Sequence, residues 1–189
     1  HMAHVRYPLR VLHDYVVSPT ELLPTLMFAM NSTPEQLQND ANVSSARAAL
    51  VPTAAKILIK FLEGAQINEI AFSSYGLREG LLFENMPEDV RSTDPLIAAA
   101  RAMEQTHSRF PAFGDVLFDC VRPLFQDWDN AMLRLIHAAC LLHDVHWRSH
   151  PDYRSEVSFE SATLANLGGI DHGGRVFLAW ALLFVVSVY

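Results

Sequence analysis

The sequence predicts an α+β chain that is mostly α, with its few strands confined to the first half. Three observations carry this reading. β-branched and aromatic residues crowd Val5–Val17, where Pro8 restricts them to an edge or irregular strand, and Ile67–Phe72 alternates with period two. Helix starts recur along the whole chain: Ser18-Pro19-Thr20-Glu21, Thr33-Pro34-Glu35-Gln36 and Asp94-Pro95 each place a capping side chain before a proline at the first helical position. After the polar, twice proline-broken stretch NMPEDVRSTDP the strand signal fades, which divides a first domain at 3–87 from a second, all-helical one at 92–189.

Element by element, the two capping boxes open the first two helices, and a longer helix follows over about 46–63, with Pro52 as a kink or late start and Gly64 as its end. Ser73-Ser74 then caps a helix beginning near Tyr75, in which Gly76 and Gly80 lie one turn apart and predict close packing of another backbone. No phosphate-loop spacing accompanies these glycines. In the second domain, helices are expected over 95–106, 113–124, 130–145 with Asn130 as cap, 155–167, and from Gly174 to the end. The turn LGGIDHGG separates the last two, and the sequence contains no internal repeat.

With 50% hydrophobic residues and a net charge of −7, the composition is that of a folded globular protein and excludes one whose whole surface holds nucleic acid. Any anion site must be local. Cys120 and Cys140 sit in apolar runs, where a thiol behaves as a small hydrophobe, so no disulfide framework is indicated and a reducing, cytoplasmic setting is expected. The apolar run Val176–Tyr189 falls short of the roughly 20 residues that cross a bilayer, so it reads as a buried helix and no membrane partner is expected. Ending at full hydrophobicity without a cap, it reads as an element cut before its natural end.

The densest chemistry lies in ACLLHDVHWRSHPDYR, which ends at Arg154. Met132, Ile136, Ala139 and His143 fall at helical spacing, which puts His143 on the inward face with Asp144 about 100° around the helix. Such a pair can share an ion or can be a hydrogen-bonded core pair. A hydrolytic metal needs three or more ligands and an open position for water. His107 follows the end of its helix, Phe113 begins the helix that packs best against His143, and the closing helix supplies no ligand. Beyond the pair, Arg148, His150 and Arg154 follow Trp147 in a short polar turn, where their charge can line a channel for a polyanion or be neutralised by Asp152 and Glu156. Arg78 and Glu79 read as an interdomain ion pair before a ligand contact.

Two stretches, FSSYGLREGLLFE and ACLLHDVHWRSHPDYRSE, resemble in order and separation the C-terminal half of the exopolyphosphatase and guanosine pentaphosphate phosphohydrolase family. YPLRVLHDY, RAALVPTAAKIL and GIDHGGRVFLA extend the resemblance over nearly the whole chain. It implies a partial actin-like (ribonuclease H-like) α/β lobe over 3–87, followed by an all-α HD-like domain of the histidine–aspartate phosphohydrolase type. It also implies hydrolysis of inorganic polyphosphate from chain ends, or of guanosine pentaphosphate, with Mg2+ in the intact enzyme.

On this resemblance the catalytic carboxylates belong to an N-terminal actin-like domain that this chain lacks, so the chain alone is expected to be inactive. Its partners would be the polyanion, that missing domain, and a second copy in a homodimer, with no nucleic acid. The first metal histidine of an HD-like domain would fall near Phe113, and LLFVVSVY lacks the His or Arg that relatives carry there. His143 and Asp144 therefore read as a vestigial metal pair, and Arg148, His150 and Arg154 as the polyphosphate-binding residues. The alternatives are a free-standing metal phosphohydrolase centred on His143 and Asp144, and a purely structural dimerisation module.

Overall fold

A computed structural model describes residues 11–187, which divide into two compact units, one up to Ser73 and one from Ser74. The polar stretch read from sequence as a boundary at 87–92 falls within the second of these units.

In the first unit, β1 (Tyr15–Val17) pairs antiparallel with β2 (Ile70–Phe72), with Tyr15 opposite Phe72 and their rings stacked. Both strands are shorter than expected: residues 1–10 of the first lie outside the described residues, and the Ile67 amide turns back to the Ala65 carbonyl before β2 begins. Between the strands run α1 (Pro19–Asn31), α2 (Pro34–Ala41), α3 (Ser45–Ala48) and α4 (Val51–Gly64). Both capping boxes form. The Ser18 hydroxyl accepts from the Glu21 amide while the Glu21 carboxylate accepts from the Ser18 amide, and Thr33 and Gln36 do the same. Pro52 gives α4 its late start, after a separate turn of helix. Val17, Leu22, Leu26, Ala55 and Ile59 form this unit's core, in which α1 lies along α4.

The second unit is helical: α5 (Leu77–Glu84), α6 (Glu88–Arg91), α7 (Pro95–His107), α8 (Phe113–Val121), α9 (Asn130–Leu142), α10 (Arg154–Leu164) and α11 (His172–Ser187). The cap expected of Ser73-Ser74 is supplied further on, at Gly76, whose amide donates to the Glu79 carboxylate. Glu79 is thus engaged at its own helix start. The helix expected over 113–124 tightens into a 3-10 turn at Arg122–Phe125, because Pro123 has no N–H with which to continue the α ladder. The cap of α9 is Asp129, not Asn130: its carboxylate accepts from the Met132 amide. That helix ends at Leu142, three residues early, in tight turns closed by the Val145 and Trp147 amides.

Leu96 and Ala100 of α7, Leu135, Ala138 and Leu142 of α9, and Leu178, Ala179 and Leu182 of α11 make the main core. Removing such side chains from water is worth roughly 1.5–3 kcal/mol for each leucine. Among the described residues no backbone makes the close approach expected at Gly80, since a Cβ there would meet nothing within 4 Å. It occurs instead at Gly114, where a Cβ would lie 2.7 Å from the Leu141 Cα and 2.9 Å from the Cys140 carbonyl oxygen. The α8 and α9 backbones touch there, and the buried Glu104 carboxylate takes the Gly114 amide at 2.7 Å.

Arg175, also buried, fastens the α10–α11 turn by donating to the carbonyls of Ala162, Ala165 and Leu167. Cys140 is buried, which pushes its thiol up to about 11, whereas Cys120 is exposed despite its apolar neighbours. Among the described residues no helix is long and apolar enough to cross a membrane.

Candidate functional site

The second unit contains a cavity of about 440 Å³ lined by Arg109, Phe110, Phe113, His143, Asp144, Arg154 and Val186. Five segments meet there. The loop after α7 brings Arg109 and Phe110, with Ala112 in the left-handed region at φ 72° as the chain turns into α8. The first residue of α8 is Phe113, the turn after α9 holds His143 and Asp144, and Arg154 and Val186 come from α10 and α11.

His143 lies one residue past α9 and is half-buried rather than buried; the helix turns its Leu135, Ala138 and Leu142 side to the core. Its Nδ1 is 2.7 Å from the Cys140 carbonyl, and its ring stands 5.8 Å from that of Phe113. Asp144 is buried and fully engaged by one residue. The Arg109 amide donates to Oδ2 at 2.9 Å, Nε to both oxygens at 3.0 and 3.1 Å, and Nη2 to Oδ1 at 2.5 Å. Burial pushes this carboxyl up, but the hydrogen bonds and charge of Arg109 outweigh it and hold the group below the usual carboxylate range.

These engagements leave the pair poorly suited to a metal. Every Asp144 oxygen already accepts from a cation, the Nδ1 of His143 is on a carbonyl, and the neighbouring position is phenylalanine, which offers no donor. Among the described residues no three His, Cys, Asp or Glu side chains gather as a ligand set. His107 points its Nδ1 at the Met103 carbonyl of its own helix at 3.2 Å.

Of the three residues read as polyanion contacts, only Arg154 lines the cavity. Its Nη2 donates to the carbonyls of Trp147 and Ser149 at 2.8 and 3.3 Å, which folds the intervening turn. Arg148 is exposed, with its guanidinium 5.1 Å from the centre of the Trp147 ring, and the exposed His150 accepts from the Asp152 amide at 3.3 Å. Among the described residues neutralisation by neighbours is slight: Asp152 reaches His150 at 3.8 Å, and the Glu156 carboxylate accepts from the Ser155 hydroxyl.

Two lining residues, Arg109 and Phe110, have no sequence signal beyond a polar loop before Pro111, and the partner of Arg109 lies 35 residues on. Trp147 fixes that loop by donating from Nε1 to the His107 carbonyl at 2.9 Å, and its ring carries the Arg109 guanidinium at 5.8 Å on the way to Asp144.

Residues 124–187 match the family model described as exopolyphosphatase, C-terminal. The span takes in α9, α10 and α11, and with them His143, Asp144, Arg148, His150, Arg154 and Val186; Arg109, Phe110 and Phe113 precede it. The chain is also similar to Retrograde regulation protein 2 of Saccharomyces cerevisiae, at 26% identity over 147 residues, which is 74% of this chain and 24% of that protein. It thus spans about a quarter of that relative's length. Over residues 124–187, where the histidine–aspartate turn and the two helices that follow it lie, the chain is similar to the C-terminal domain of exopolyphosphatases.

Proposed function

We propose that this chain is the C-terminal portion of an exopolyphosphatase-family protein whose helical unit holds a polyphosphate chain and supports assembly, while bond cleavage is carried out by carboxylates outside these residues. In this reading the unit up to Ser73 is part of an actin-like lobe, supported by its mixed strand and helix content, and the unit from Ser74 is HD-like, supported by its all-helical make-up and the His143-Asp144 turn. The substrate of the whole protein is inorganic polyphosphate, or guanosine pentaphosphate, with Mg2+ held by the catalytic part and a homodimer as the working form.

One observation carries the non-catalytic assignment: the Asp144 carboxylate is closed off by three nitrogens of Arg109. A carboxylate so held neither binds a metal nor removes a proton without first losing that pair. The polyanion contacts are Arg148 and His150, both exposed, on a turn that Arg154 folds.

The test is binding of fluorescently labelled medium-chain polyphosphate to the purified chain. Binding should weaken steeply between about 50 and 300 mM salt, as exposed charge contacts do, and should weaken further in Arg148→Ala/His150→Ala. Phosphate release should be absent. Release by this chain alone that disappears in Asp144→Asn would refute the assignment, and salt-independent self-association without polyphosphate binding would favour a purely structural module.

A further inference from the structure

From the cavity's make-up we infer a second ligand site, one for a small aromatic monophosphate: a flat ring carrying a single phosphate group, as in an aryl phosphate or a nucleoside monophosphate. The cavity, at about 440 Å³, lies within the range of about 300–1,000 Å³ typical of small-molecule sites. Its wall is chiefly apolar, with Phe110, Phe113 and Val186 among the lining residues beside His143. Phe110 is 67% exposed and Phe113 45%, so both rings are open to a stacking partner instead of being filled from behind.

The charges decide what the head group is. Asp144 answers Arg109 at hydrogen-bond distance, which leaves Arg154 as the lining cation without a carboxylate partner among the described residues. Its two hydrogen bonds go through Nη2 to neutral carbonyls, and its Nε is buried with no partner among the described residues. A guanidinium held in this way keeps its full charge for an anionic oxygen. One uncompensated cation beside two exposed rings suits a single phosphate on an aromatic body. It does not suit a bare polyphosphate, which brings a charge with every phosphate and nothing to stack. The site is therefore distinct from the Arg148–His150 surface, and the inference stands or falls apart from the polyphosphate reading.

Isothermal titration calorimetry of the whole chain tests it, with phenyl phosphate and adenosine monophosphate as probes and inorganic phosphate, inorganic triphosphate and adenosine as controls. Both probes should bind with a stoichiometry of one and at least about tenfold more tightly than any control, since each control lacks either the ring or the phosphate monoester. Arg154→Gln should weaken both about tenfold or more and Phe110→Ala a few-fold, whereas Arg148→Ala should leave them unchanged. Should Arg154→Gln fail to fold, Phe110→Ala decides alone, because that side chain is 67% exposed. Triphosphate binding as tightly as phenyl phosphate, affinities untouched by Phe110→Ala, or no heat at millimolar probe would each overturn the assignment.

Discussion

Gly114 and Leu141 bring two helix backbones into contact: a Cβ on the glycine would stand 2.7 Å from the leucine Cα. The obstruction is main chain, so no rotamer change relieves it. Gly114→Ala should destabilise the helical unit by about 1–3 kcal/mol, as overpacking of a close crossing does. A lower urea midpoint with an unchanged slope is the expected result, and an unchanged midpoint would mean that the helices do not meet at this glycine.

Arg109→Met leaves a buried carboxylate without its cation. Arg109 is itself half-exposed, which moderates the loss, and about 1–3 kcal/mol is expected. Replacing both partners, as Arg109→Met/Asp144→Leu, should recover much of that stability, because the pair is then absent instead of broken. A double variant no more stable than the single one would count against the pair as the dominant contact of Asp144.

Arg175→Ala removes the donor shared by three carbonyls at the α10–α11 turn. The cost should exceed that of an ordinary surface change and reach about 1–3 kcal/mol for the groups left unsatisfied. Amide hydrogen exchange should rise first at 165–172.

Acid should weaken the fold in two stages. Burial lowers the pKa of His146 below its ordinary 6.5, helped by the charge of His107, and lowers that of His172, helped by Arg175. Their contribution is complete above about pH 6.5 and is lost as pH falls through the depressed folded values. The second stage belongs to the carboxylates. Arg101, then His137, hold Asp115 down at about 2, and Asp94 and Asp144 are lowered by Arg134 and Arg109. Each of these contributions is complete above about 3.8 and fades as pH drops toward the folded value. Asp115 is 40% exposed, so solvent screening reduces its share. Melting temperatures between pH 8 and 2 should show both declines, and His146→Gln should flatten the first; a flat profile from 8 to 4 would contradict the histidine assignment.

What was legible in the sequence was local. Ser18 with Glu21, Thr33 with Gln36, and Asp94 before Pro95 act within one helical turn, and all three caps form where read. Errors of a few residues arose where several caps stood side by side: Asp129 next to Asn130, and Gly76 just after Ser73-Ser74. Contacts across the fold left no such trace. Gly114 gave no more sign of close packing than Gly80, because the choice rests on which backbone passes by. In the site, helical spacing brought His143 near Phe113, but Arg109 on Asp144 joins residues 35 apart through side chains that most loops contain.

Trp147 is bonded to the His107 carbonyl and lies near two guanidiniums, one from each of the loops that follow α7 and α9. These loops are therefore riveted together and must loosen as one. Protease nicking in 108–112 and in 145–150 should begin at the same denaturant concentration, and in a Trp128→Phe/Trp180→Phe background, where Trp147 alone emits, the indole emission should change there too, which makes this ring a built-in gauge of whether the cavity's rim is intact.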